Sequence, residues 1–137
     1  VHQAIFSKDA NKLQSLLENF MLKSISTMDG ASEAFYHGMM LGLCAVLGSQ
    51  YQVRSNRESG LGRFDIELLP MVKNMPGFIF ELKHTKDMNI DLDSLADSAL
   101  RQIDNMKYDA ELKAFGVDDI VKIGIAFRQK SAVVKRG

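Results

Sequence analysis

Cysteine is nearly absent: Cys44 stands alone, which excludes an internal disulfide and any zinc site built from several thiolates. It lies in the apolar stretch from Leu41 to Leu47, where a buried structural thiol is expected rather than a reactive one. Net charge is absent as well. The 17 basic and 17 acidic residues cancel, so no global field marks a polyanionic partner and any nucleic-acid contact has to be local. No apolar run approaches the ~20 residues that cross a bilayer, and no basic-then-apolar leader opens the chain. A cytoplasmic location without a membrane partner is the expectation. Internal repeats and low-complexity segments are missing too. What is present is ordinary for a globular protein: 137 residues, 46% apolar and 25% charged. That suffices for one domain over residues 1–137 with a real core. The chain enters patterned sequence within a few residues of Val1, as a piece of a longer protein would.

The most informative pattern runs from Gly62 to Lys83 and reads as a β-hairpin. Phe64, Ile66 and Leu68 alternate with Arg63, Asp65 and Glu67, while Phe78, Phe80 and Leu82 alternate with Ile79, Glu81 and Lys83. A loop centred near Lys73 sets Phe64 beside Leu82, Ile66 beside Phe80 and Leu68 beside Phe78, all on one core face. The same register sets Asp65 opposite Glu81. Two facing carboxylates repel, and a fold tolerates them when positive charge sits between or beside them. Lys83 and a divalent metal ion are the candidates.

Around the hairpin the elements follow from periodicity. Leu13, Leu16, Leu17, Phe20, Met21 and Ile25 predict an amphipathic helix from about Ser7 to Met28, capped by Asp9. A second helix, capped by Ser32, is expected from Glu33 to about Leu47, ended by Gly48. A strand at Tyr51–Arg54 and a polar loop at Ser55–Gly60 precede the hairpin. Asp91 to Phe115 reads as a long helix closed by Gly116, with Leu95, Ala99, Ile103 and Met106 facing the core. Ile120–Phe127 reads as a strand covered on both faces, and Ala132–Lys135 as a short edge strand. Without the first helix the core order is αβββαβ: an α/β fold with a central mixed sheet flanked by helices.

The hairpin's charged face suits phosphodiester hydrolysis, which needs an activated water and positive charge where the phosphate oxygens and leaving alkoxide become negative. Mg²⁺ prefers oxygen ligands and keeps several waters, so Asp65, Glu81 and the carbonyl of Leu82 form a fitting set, with Mn²⁺ as substitute. Lys83 lies where it can orient or deprotonate the attacking water. Arg63 suits either contact to phosphate or pairing with Glu81 or Asp65. Glu67, on the same face, is expected to face solvent.

These blocks resemble the PD-(D/E)xK nuclease superfamily, with Asp65 on the second strand and Glu81-Leu82-Lys83 on the third; Phe64 stands where the motif's proline would be. Glu33-Ala-Phe-Tyr-His37, Gly62-Arg-Phe-Asp65, Phe80-Glu-Leu-Lys83, Ala99-Leu-Arg-Gln-Ile103 followed by Tyr108, and Ile123-Gly-Ile-Ala-Phe127 look like the nuclease-like domain at the C-terminal end of bacterial AAA-ATPase-like proteins. The resemblance implies a restriction-endonuclease-like fold, Mg²⁺-dependent cleavage of DNA, and an ATPase domain earlier in the same chain. It implies Glu33 as an outer member of the metal site, His37 as a helper at the substrate, and Gln102 as support for the catalytic lysine or the phosphate.

Other readings stay open at this point. Asp65, Glu81 and Lys83 also suit a solvated hairpin face, Glu33 and His37 an intrahelical pair, and Gln102 a surface position. Arg128, Lys130, Lys135 and Arg136, with no acid among them, form a candidate local phosphate-binding surface, whereas the segment from Lys86 to Asp119 is rich in aspartate. Two competing classes remain: a nuclease-derived binding module that has lost catalysis, and an oligomerisation domain, the latter if the apolar stripe of the first helix is exposed.

Overall fold

A computed structural model describes residues 9–24, 33–45, 50–58, 63–106, 112–114 and 116–137. The elements are α1 (Ala10–Ser24), α2 (Glu33–Ala45), β1 (Tyr51–Glu58), β2 (Arg63–Pro70), β3 (Gly77–His84), α3 (Leu92–Met106), β4 (Ile120–Arg128) and β5 (Ser131–Arg136). The five strands form one sheet in the order β1-β2-β3-β4-β5. Only the β3–β4 pair is parallel, because α3 carries the chain back across the sheet between them. After α1 the order is αβββαβ with β5 added as an antiparallel edge.

Strand alternation divides the sheet into two faces. Tyr51, Phe64, Ile66, Leu68, Phe78, Phe80, Leu82, Ile123, Ile125, Phe127 and Val134 lie in one buried cluster with Leu13, Leu17 and Met21 of α1 and Tyr36, Met40 and Cys44 of α2. The hairpin register agrees with the expectation at each pair: Phe64 faces Leu82, Ile66 faces Phe80, and Leu68 faces Phe78. Burial pushes the Cys44 thiol up to about 12, which fits a structural cysteine. The stripe of α1 is buried at Leu13, Leu17 and Met21 and half-buried at Leu16, whereas Phe20 is 40% exposed, so the stripe is covered only in part.

Opposite, α3 packs on β3, β4 and β5. A Cβ built on Gly124 of β4 would lie 2.6 Å from Ala96 O and 2.9 Å from Leu100 N, so glycine is what lets the backbone of α3 rest on the strand. Ala96 and Ala99 are fully buried.

Local signals explain the boundaries. Lys12 N donates to Asp9 Oδ1 at 3.1 Å, the expected cap of α1. Gly116 adopts φ +84° after a helical turn at residues 112–114, and its N–H reaches Lys113 O at 2.9 Å. One expectation is corrected. Residues 55–58, read as loop because they lack apolar alternation, continue β1 as far as Glu58, since β2 pairs with them residue by residue. The expected cap Ser32, and Ile25, Leu47, Gly48 and Tyr108, lie outside the described residues.

Candidate active site

The face under α3 carries the charge. In the sheet register Asn56, Asp65, Glu81, Gly124 and Lys135 follow one another across the five strands. Asp65 and Glu81 are therefore direct cross-strand partners, and both are buried, at 5% and 1% exposure. Asn56 Nδ2 donates to Asp65 Oδ1 at 3.3 Å. In the adjacent row Lys83 is the partner of Arg63 on one side and Ala126 on the other. Lys83 is half-buried, and its Nζ donates to Ser98 Oγ of α3 at 3.1 Å. Ser98 Oγ in turn donates to Leu95 O at 2.6 Å.

Glu67 departs from its expected solvent position. It is 1% exposed and meets Arg54 Nη2 at 2.7 Å. The cause is the β1–β2 register, which sets Arg54 directly opposite Glu67 and so supplies the countercharge that a buried carboxylate requires.

The other sequence candidates are placed as follows. Leu82 turns its side chain into the core on the opposite face, leaving its backbone as the part that can serve the charged face. Glu33 opens α2, which approaches from the apolar side, and its charge acts on His84, next along β3 from Lys83. Burial holds His84 below the usual histidine range, with Glu33 opposing that effect. His37 Nε2 lies 2.6 Å from Ser55 Oγ and its ring meets Phe64 edge-on, on that same apolar side. Gln102 is half-buried on α3, one turn beyond Ser98. It is Ser98 that stands at hydrogen-bond distance from Lys83.

The expected basic surface is partly committed to structure. Lys135 lies 3.1 Å from Asp93 of α3, and Arg128 Nη1 donates to the carbonyls of Asp87 and Ile90 in the β3–α3 loop at 3.1 and 2.6 Å. Lys122 holds Asp104 at 2.7 Å. The aspartates of α3 thus face lysines of β4 and β5, which is why that acidic segment can lie on the sheet.

Asn56 and Ser98 are the neighbours that sequence reasoning passed over. Asn56 shared the polar run read as loop. Ser98 offered a weak signal, a hydroxyl on the helix expected to cover the Glu-x-Lys strand.

Among the described residues no three His, Cys, Asp or Glu side chains group as a metal cluster. A pair of carboxylates still suits Mg²⁺, which takes one or two carboxylates and fills its octahedron with water and phosphate oxygens. The donor set fits that ion. A mixed α/β sheet between helices, with a buried acid pair and a lysine on one face, defines a restriction-endonuclease-like domain. A family model of the PD-(D/E)XK nuclease superfamily matches residues 31–137, and the chain belongs to that superfamily. The match takes in α2 and every later element, including Asp65, Glu81 and Lys83. No curated protein and no solved structure matches the chain. Membership supports a nuclease-type function. Among the described residues no helix is long and apolar enough to cross a membrane.

Proposed function

We propose that this chain is a Mg²⁺-dependent nuclease domain that hydrolyses phosphodiester bonds in DNA. The carrying observation is the buried cross-strand pair of Asp65 and Glu81 with Lys83 on the same sheet face. In this reading Asp65, Glu81 and the carbonyl of Leu82 hold the ion, with Mn²⁺ as substitute. When bound, the ion supplies positive charge at the scissile phosphate and makes water a better nucleophile. Lys83 orients the attacking water, receives its proton or offsets charge on the phosphate. Gln102 supports the phosphate, and Arg63 serves the substrate. The domain spans residues 1–137, works in the cytoplasm and is joined to an ATPase domain earlier in a longer chain.

Cleavage of plasmid and of single-stranded DNA in Mg²⁺ tests this, beside a binding titration in Ca²⁺, which fills an oxygen site without supporting efficient chemistry. Lys83→Ala is expected to lower turnover by ~10²-fold or more, while affinity falls only by the share of one phosphate contact. A wild-type protein that binds DNA and never cuts it would establish the binding-module reading instead.

A further inference from the structure

We propose that Ser98 is the positioning residue for Lys83, and that its hydroxyl, rather than the amide of Gln102, sets where the lysine's amine points. The inference rests on the nuclease reading for its catalytic consequence, but its structural part stands on contacts alone. Ser98 Oγ has a single proton, and that proton goes to Leu95 O at 2.6 Å. Toward Lys83 the hydroxyl can therefore only accept. At 3.1 Å it takes one N–H of Nζ.

Two features make this hold firm. Lysine has a long, rotamer-rich stem that does not fix its own head group, so an acceptor on a rigid element decides the orientation. The helix is rigid here because Ala96 and Leu100, on either side of Ser98, lie against Gly124 at distances that no Cβ would permit. Gly124 is itself the register partner of Glu81. The contact that seats α3 is thus next to the acid pair, and the serine is fixed relative to the strand that carries both Glu81 and Lys83. Serine's short side chain suits this close approach.

In the nuclease reading, an amine whose N–H is held by Ser98 is kept at one place on the face that carries Asp65 and Glu81.

The test uses wild type, Ser98→Ala and Ser98→Thr, each also combined with Lys83→Ala. Turnover of Ser98→Ala should fall about tenfold or more, as a misplaced catalytic group does, with KM and Ca²⁺-supported DNA binding unchanged. Ser98→Thr, which keeps the hydroxyl, should recover most of the loss. In the Lys83→Ala background Ser98→Ala should cost nothing further, because a residue acting through Lys83 has nothing left to position. The second readout is NMR relaxation of the Lys83 Cε methylene, whose order should drop in Ser98→Ala and return in Ser98→Thr. An equal loss of turnover with and without Lys83, or Cε order untouched by Ser98→Ala, overturns the inference. If wild type cuts no DNA, the nuclease reading falls, and the Cε order still decides whether Ser98 positions the lysine.

Discussion

Along β2 the side chains Phe64, Ile66 and Leu68 enter one buried cluster, while Asp65 and Glu67, between them in sequence, enter the other side of the same strand equally buried. The apolar face draws residues from all five strands and both N-terminal helices into a continuous core. On the α3 face apolar contacts break into two smaller groups, one around Leu69, Ile79, Ile103, Leu112 and Val117 and one around Leu92, Ala96 and Ala126. Asp65 and Glu81 belong to neither. A sheet with one unbroken apolar face can carry buried charge on the other, because folding energy comes mainly from continuous apolar burial. Buried like charges subtract from stability unless something else holds them. The first face is where the molecule is stabilised, and the second, in the proposed reading, is where stability is given up for chemistry.

The largest expected effect tests the stabilising face. Phe80 is fully buried in the main cluster and stacks near Phe78 at 6.3 Å between ring centroids. Phe80→Ala should cost about 3–5 kcal/mol, the transfer term plus the cavity left behind. Urea unfolding measures it, and a loss below about 1 kcal/mol would break the division of labour between the faces.

A smaller effect is expected where α3 meets the sheet. Gly124→Ala puts a methyl 2.6 Å from a helix carbonyl, and both partners are backbone, so neither can swing aside. Thermal unfolding should register about 1–3 kcal/mol, typical of overpacking. Because the displaced helix carries Ser98, cleavage should fall more than the stability loss explains. Full activity in a destabilised Gly124→Ala would show that the seating of α3 matters for the fold and not for the site.

How much of this was legible in the sequence depended on what each feature is made of. The hairpin register was legible because two runs of period-two alternation and a single loop centre leave one pairing that buries all six apolar side chains. That pairing brought Asp65 opposite Glu81 with it. The second half of β1 was not legible, since Ser55, Asn56, Arg57 and Glu58 carry no apolar alternation and owe their extended form to β2. Misreading them hid Asn56 as the donor to Asp65, and Arg54 went unseen as the partner of Glu67 because the register of β1 on β2 was not read. Gly116 was legible from its position near the end of a helical pattern, and it does adopt the left-handed conformation. Gly124 and Ser98 were not, because their meaning lies in how closely a helix approaches a strand distant in sequence.

The smallest effect, and the sharpest in sign, belongs to the acid pair. Glu81→Gln keeps the shape of a buried side chain and removes one of two facing negative charges. On the apolar face any truncation lowers stability; here the change should raise it when metal is chelated, by about 0.2–1 kcal/mol, the scale of one cross-strand pair. That amounts to roughly 1–3 °C in the midpoint for a domain of this size. Mg²⁺ should reverse the ranking. Binding the folded state alone, it should stabilise wild type by mass action, whereas the glutamine variant, with one anionic ligand, should gain little. Melting curves of both proteins in chelator and in millimolar Mg²⁺ are sufficient. If Glu81→Gln melts lower than wild type in chelator, the neighbours of Glu81 attract its charge more strongly than Asp65 repels it. If wild type gains nothing from Mg²⁺ while the variant also stays unchanged, the pair does not hold the ion, and the contrast between a stabilising face and a chemical face loses its metal.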